Sequence, residues 1–190
     1  MGLTLCCSAC SSSAEKYPYE HIGIYDVQTE QYIDISDNKA SVDKRIGKGV
    51  KKGIDTLVEY PDDLTILYDD NAVIEDISIF FPYKSDNLDR YTLPDGTGHS
   101  KTVSSFIEKY KYVYEFNGFG NNPDVGIFLK KTKNGNIILS KKDLMSLGNN
   151  IEDIYQISIS YTSYDDIDHI RIEKFSPRSD DFVENLKEVK

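Results

Sequence analysis

The sequence predicts an α+β fold: a largely antiparallel sheet with short helices packed on one face, arranged as a tandem helix-plus-meander repeat. Three observations carry that expectation. Short runs of alternating apolar residues recur through the chain, as half-buried strands require. Two segments place apolar residues at helical spacing. The order of a helix followed by meandering strands also occurs twice. Val42 and Ile46 return 61 residues later as Val103 and Ile107, and Leu64, Ile66 and Tyr68 return at the same spacing as Val125, Ile127 and Leu129. A later echo, at spacing 93, pairs Ile77 and Ile79 with Ile170 and Ile172. One such unit is too small to bury much surface alone, whereas two can build one sheet.

The elements follow in order. Residues 11–19 are polar and read as a tether. His21 to Val27 alternates and reads as a strand, with a second at Tyr32 to Ile35. Asp37 to Gly49 reads as a helix: Asp37 or Asn38 can cap it, Val42 and Ile46 share a face, and Gly47 or Gly49 can end it. Leu57 to Tyr60, Leu64 to Tyr68 and Val73 to Phe81 read as strands, the last two joined by the turn Asp69-Asp70-Asn71-Ala72. Pro82 to Gly98 is a polar connector. Ser100 to Tyr112 reads as the second helix, and Gly118 to Pro123 as a loop. Val125 to Lys131 and Asn136 to Ser140 form a hairpin around Asn134-Gly135, the strongest short hairpin signal in the chain. Lys141 to Gly148 reads as a helical turn. Ile154 to Tyr161 and Ile167 to Phe175 are further strands, and the charged tail from Ser176 reads as a frayed helix.

The chain of 190 residues suits one domain or two small ones sharing a core. No apolar run reaches the roughly 18–20 residues that span a bilayer, which argues against a transmembrane protein. The net charge is −10, opposite in sign to a general nucleic-acid binder. That acidity is uneven. Residues 1–95 hold 9 Lys and Arg against 18 Asp and Glu, and residues 96–190 hold 13 against 14. One basic knot, Lys44, Arg45, Lys48, Lys51 and Lys52, sits in the acidic half, where a solvated helix end explains it and an anion patch is the sharper alternative.

All three cysteines, Cys6, Cys7 and Cys10, lie in the first ten residues. The uncharged stretch from Met1 to Ala14 resembles the end of a bacterial lipoprotein signal peptide. Ser8-Ala9-Cys10 matches the small-small-Cys end of the lipobox, and Ser11-Ser12-Ser13 resembles the tether behind it. The resemblance implies that Cys10 carries a diacylglycerol and becomes the mature N-terminus. Cys7 stands where that family usually has Leu. The charged start and most of the apolar run are missing ahead of Cys10, which predicts a start codon assigned too late. The competing address is a Met1-Gly2 myristoylation site with palmitoylation at Cys6 and Cys7, although Cys6 occupies the position that wants Ser or Thr. Both addresses hold the folded part on a membrane surface without spanning it. The unit from Val42 to Gly47 and on through the strands to Ile79 also resembles the helix-plus-sheet repeat of β-lactamase-inhibitor-like and outer-membrane assembly lipoproteins. Members of that group bind proteins through an exposed sheet face, which implies a binding module. The expected organisation is a signal remnant over 1–10 with lipidation at Cys10, a tether over 11–19, a first α+β unit with connector over 20–98, and a second unit with charged tail over 99–190.

A search for chemistry returns little. His21, His99 and His169 do not pair at ligand spacing. The acidic turns Asp62-Asp63, Asp69-Asp70-Asn71 and Asp165-Asp166-Asp168 lack the calcium-loop pattern, and turn chemistry accounts for them. No Gly-x-Ser-x-Gly elbow is present, and Gly118-Phe119-Gly120 lacks the third glycine of a dinucleotide loop. Tyrosine is the informative surplus. Tyr60, Tyr68, Tyr83, Tyr91, Tyr110, Tyr112, Tyr114, Tyr155, Tyr161 and Tyr164 gather at strand ends and connectors, where β-propensity explains them and a binding surface would also use them. The expectation is therefore a lipid-anchored, extracytoplasmic, non-enzymatic binding or accessory module. It has no catalytic residue, metal or cofactor, and its partners are the membrane surface and a protein rather than nucleic acid. The alternatives are a carboxylate-using hydrolase and an immunity- or inhibitor-type protein that neutralises a basic partner.

Overall fold

The structure is a computed structural model of the chain, and it describes residues 14–81, 89–117, 123–148, 150–162, 164–177, 179 and 181–189. Cys10 and the whole of residues 1–10, Tyr83 in the connector, and Gly118-Phe119-Gly120 lie outside these residues.

Strand-forming sequence dominates. The strands are β1 (Glu15–Lys16), β2 (Gly23–Asp26), β3 (Gln31–Asp34), β4 (Val50–Lys52), β5 (Ile54–Tyr60), β6 (Leu64–Tyr68), β7 (Ile74–Phe80), β8 (Tyr91–Thr92), β9 (Tyr114–Asn117), β10 (Pro123–Thr132), β11 (Gly135–Ile138), β12 (Ile154–Tyr161), β13 (Ile167–Lys174) and β14 (Lys187–Glu188). The helices are α1 (Lys39–Ile46), α2 (Val103–Lys109) and α3 (Lys141–Ser146). Eleven strands form one antiparallel sheet in the order β1-β11-β10-β12-β13-β7-β6-β5-β4, with β9 and β14 attached beside β10. A separate three-stranded sheet runs β3-β2-β8.

The fold is mainly β, and this corrects the α+β expectation: among the described residues strands make up 43% and helices 13%. The physical reason is helix length. The three helices have 8, 7 and 6 residues, too short to form a covering layer. α1 buries only Val42 and Ile46, and within α2 only Val103 and Phe106 are buried. The core is completed by the small sheet, whose Ile24, Ile33 and Tyr91 join Ile66, Ile77, Ile127, Ile157 and Ile172 of the large sheet in a single cluster. A second core lies on the other face of the large sheet. Tyr114, Phe128, Ile154 and Phe175 meet Leu144 of α3 and Leu186 of the tail. Leu186 is buried and β14 pairs with β9, so the tail ends as a strand rather than the frayed helix its charges predict.

The tether is shorter than the polar composition of residues 11–19 predicts. Glu15 and Lys16 pair with Ile138 and Ile137 at the sheet edge, and Tyr17 is 1% exposed, stacked 6.0 Å from Tyr110. One buried aromatic ring recruits this otherwise polar segment into the fold.

Strand register relates the two halves of the sheet. The pair β6–β7 carries Leu64↔Ile79, Ile66↔Ile77 and Tyr68↔Ile74, with a bulge between Leu67 and Tyr68. The pair β12–β13 carries Ile157↔Ile172, Ile159↔Ile170 and Tyr161↔Ile167, with a bulge between Ser160 and Tyr161. Every one of these positions is displaced by 93. The helix caps match as well. Asn38, the N-cap of α1, bridges Val73, and Thr102, the N-cap of α2, bridges Asp166. The next amide in each case donates to a residue at positive φ: Lys39 to Ala72 (φ 60) and Val103 to Asp165 (φ 71). Helix and following strand are displaced by 64, so Val42 answers to Phe106. The spacing of 61, which aligned Val42 with Val103 and β6 with β10, is not the one the structure has. At the seam, β7 pairs antiparallel with β13 through Ile77↔Ile172, Ser78↔Arg171 and Ile79↔Ile170, so a local twofold axis passes through the equivalent residues Ser78 and Arg171 and exchanges the two flanking pairs. The far edge is blunt: β4 is three exposed residues including Lys51 and Lys52, with a bulge between them, a pattern that resists edge-to-edge pairing.

Candidate functional site

The functional-site candidate is a cleft of about 310 Å³ lined by Glu20, His21, Tyr32, Asp34, Ser36, Asp37, Arg45 and Lys131. It forms where the small sheet, α1 and the β10–β11 hairpin converge. Its floor is the turn between β3 and α1. Asp34 Oδ1 accepts from the Ser36 amide at 3.0 Å and from its hydroxyl, and Oδ2 accepts from the Ile22 amide at 3.1 Å. Asp37 Oδ2 accepts from the Asp34 amide at 2.8 Å. Arg45 then grips Asp37 with both nitrogens, Nη1 to Oδ2 at 2.6 Å and Nη2 to Oδ1 at 2.8 Å, while Nη1 also donates to the Tyr32 carbonyl. A forked guanidinium suits this bidentate geometry and fixes the turn against the helix. Burial would raise the Asp34 carboxyl, but the Ser36 hydrogen bonds, the Lys131 charge and the Ile22 amide outweigh it and hold it below the usual carboxylate range.

Lys131 enters from the hairpin. Its Nζ stands 3.4 Å from both Asp34 Oδ1 and Ser36 Oγ, long contacts that leave donor capacity unused. His21 Nδ1 lies 3.5 Å from Asp34 Oδ2. On the rim three rings form a ledge. Tyr25 and Tyr32 are cross-strand partners 4.9 Å apart, and His21 stacks on Tyr32 at 4.4 Å and 24°. The site lacks an acyl-transfer relay because the Ser36 hydroxyl is spent on Asp34. It can present carboxylates, an ammonium and a flat aromatic surface to a ligand.

The residues singled out in the sequence are dispersed. His99 and His169 are far from the cleft in sequence and each has a buried nitrogen without a hydrogen-bond partner. His169 stacks on Phe80 at 4.3 Å, and burial pushes its imidazole down to about 4. Asp124, Ser160 and His169 are neighbours in register across β10, β12 and β13. Ser160 donates to Asp124 at 2.6 Å and His169 Nε2 has no partner, so the order is wrong for a serine nucleophile relayed through histidine. The basic knot is divided: Arg45 serves Asp37, Lys51 meets Asp55 at 3.1 Å, and Lys52 meets Glu59 at 2.8 Å.

The acidic turns do local work. Asp69 accepts from the amides of Asn71 and Val73, Asp165 accepts from the Ser104 amide at 3.1 Å, and Asp62 pairs with Arg90 at 2.8 Å. Arg90 also bonds the fully buried Asp26 at 3.0 Å, closing an ion triad that ties the small sheet to the β5–β6 turn. Of the tyrosines, Tyr60 and Tyr68 share a 2.8 Å hydroxyl contact beside Asp43, and Tyr110 donates to Asp95 at 2.9 Å. Tyr91 and Tyr114 are buried, and Tyr164 is exposed. The cleft's own Tyr32, Asp34 and Lys131, and Tyr25 packed beside Tyr32, were not among the residues singled out as candidates. The sequence signal was present for two of them, since Tyr25 and Tyr32 flank a short polar turn at positions that face each other in a hairpin.

Compared with protein-family profiles, with curated proteins and with solved structures, the chain finds no match in any of the three.

Proposed function

We propose that the protein is a lipid-anchored, extracytoplasmic binding module, held at the membrane surface through Cys10 and presenting the charged cleft to a ligand or protein partner. The observation that carries the anchor is the distribution of cysteine: three in ten residues, with Ser8-Ala9 directly before Cys10, and none in the next 180. The start of the fold is consistent with this address. β1 begins at Glu15, so four residues separate Cys10 from the sheet edge. At roughly 3.5 Å per extended residue they span at most about 15 Å, which keeps the body close to the headgroups. The binding role rests on the cleft, where polar groups and a ring ledge converge on one concave site, as ligand sites do. Radiolabelled lipid incorporated into the wild type and lost in Cys10→Ala is the expected result. A protein that takes up no label, or takes it up equally after that substitution, ends the anchor.

A further inference from the structure

We infer that the hairpin of β4 and β5 is a second membrane contact, an arm that rests on anionic lipid headgroups with Val50 and Ile54 set into the interface. The inference goes beyond the Cys10 anchor and extends only the membrane-surface part of that reading. Its first support is charge. Residues 44–55 hold five Lys and Arg against one Asp, while the rest of the chain holds 17 against 31. Lys44, Lys48, Lys51 and Lys52 are all exposed. Arg45 is turned to the cleft, where it holds Asp37, and Asp43 is turned to Lys39 and Tyr60. The remaining carboxylates at the arm are Asp55 and Glu59, which meet Lys51 and Lys52 in solvent-exposed ion pairs. Pairs so exposed are worth little and do not hold the lysines back from a lipid phosphate. The acidic remainder of the chain is repelled by the same surface. At about 0.1 M salt that repulsion decays over about 10 Å, so the charge nearest the surface decides the approach.

The second support is independent of charge. Val50 is 64% and Ile54 59% exposed, more than any other Val, Ile or Leu among the described residues. Both stand among the lysines, Val50 next to Lys51 and Ile54 paired with Lys52. Lysines interleaved with aliphatic side chains match a bilayer interface, where apolar groups and lysine stems enter the acyl boundary and the ammonium groups stay with the phosphates. A soluble polyanion offers the charge without the apolar layer. The base of the arm is also fixed. Gly49 lies so close to β5 that a Cβ there would stand 2.4 Å from a Val58 methyl and 2.8 Å from the Glu59 carbonyl oxygen. β4 closes the edge of the large sheet opposite β1. A tether at one edge leaves the body free to swing, and a contact at the other edge restrains it.

The test is co-sedimentation of the unlipidated full chain, Cys10→Ala, with phosphatidylcholine vesicles that hold either no anionic lipid or about 30% phosphatidylglycerol, at about 0.1 M salt. Binding is expected to rise with phosphatidylglycerol and to fall again at about 0.5 M salt. Lys48→Gln and Lys51→Gln are each expected to weaken it about fivefold, the scale of one lysine at an anionic surface. Val50→Ser combined with Ile54→Ser is expected to weaken it about tenfold. Lys101→Gln, an exposed lysine at the start of α2, is expected to change nothing. Circular dichroism checks the fold of each variant, and the nearly isosteric Val50→Thr carries the apolar comparison if the serine pair fails to fold. The inference is overturned if phosphatidylglycerol adds nothing to binding, or if Lys101→Gln weakens it as much as Lys48→Gln. Binding that needs the lysines but ignores Val50 and Ile54 points to a soluble acidic partner and overturns the lipid surface as well. Failure of lipid labelling at Cys10 leaves this outcome untouched, and failure here leaves the anchor untouched.

Discussion

The two halves of the large sheet share a backbone plan and differ in what has been added to it. In residues 34–80 the plan is bare: a capped helix, then β4 to β7, with β5 and β6 joined by a short turn at Asp62 and Asp63. In residues 98–173 the matching strands β10 and β12 are separated by β11 and α3, which carry a second core on the outer face. The cleft forms where this addition reaches back to the plainer half. Lys131 from the hairpin meets Asp34 and Ser36 in the turn before α1, and the equivalent turn before α2, Gly98 to Lys101, has no carboxylate at all. The shared plan supplies stability, and the departure from it supplies a site.

The largest expected effect tests the sharing. Ile77 and Ile170 occupy equivalent, fully buried positions at the seam, so Ile77→Ala and Ile170→Ala should each cost about 3–4 kcal/mol and agree within about 1 kcal/mol by urea denaturation. A wide gap between them would mean the two halves are not loaded alike. The next effect tests a difference. His169 stands where the other half has Asp76. Its folded imidazole titrates near 4, below the roughly 6.5 of an unfolded chain. The unfolded state therefore binds the proton first, and stability is full above about pH 6.5 and falls as pH drops toward 4, by up to about 3 kcal/mol. His169→Gln should remove that part of the slope, measured as unfolding free energy against pH, and an unchanged slope would locate the titration elsewhere.

Smaller effects probe the caps. Asn38→Ala and Thr102→Ala each remove one side-chain bond to a helix amide and should each cost about 1 kcal/mol in thermal or urea melts. Smallest is the paired turn. Ala72 and Asp165 both hold positive φ, so glycine relieves strain at each. Ala72→Gly should gain about 0.5–1 kcal/mol, whereas Asp165→Gly also loses the bond to the Ser104 amide and should gain nothing. Equal gains at both positions would show that this bond contributes no stability.

The strands themselves were legible. Leu64–Tyr68 and Ile154–Tyr161 have the bounds that alternation predicts, and the hairpin expected around Asn134-Gly135 forms one residue earlier, turning at Lys133 and Asn134 with Gly135 already paired to Thr132 in β11. The fold class was not, because apolar spacing reveals that a helix exists but not that it stops after two turns. The alignment of the halves slipped for a related reason. The spacings 61 and 64 differ by three residues, and a helix shifted by three keeps nearly the same apolar face. Period-two strands match one another at almost any register, so β6 aligned with β10 as readily as with its true counterpart β12. β4 was missed because all three of its residues are exposed and no alternation marks it. The cleft was the least legible part. Lys131 meets Asp34 across 97 residues, and no local pattern encodes a contact that only the assembled sheet creates.

The seam between β7 and β13 has one more consequence. A strand that pairs antiparallel with its own equivalent makes an isologous contact, the kind that two identical chains build around a twofold axis. The molecule thus has the geometry of a homodimer written into a single polypeptide. Covalent linkage makes the meeting of the halves intramolecular, so their association does not depend on protein concentration. It also frees each half to change alone, which an obligate twofold would forbid.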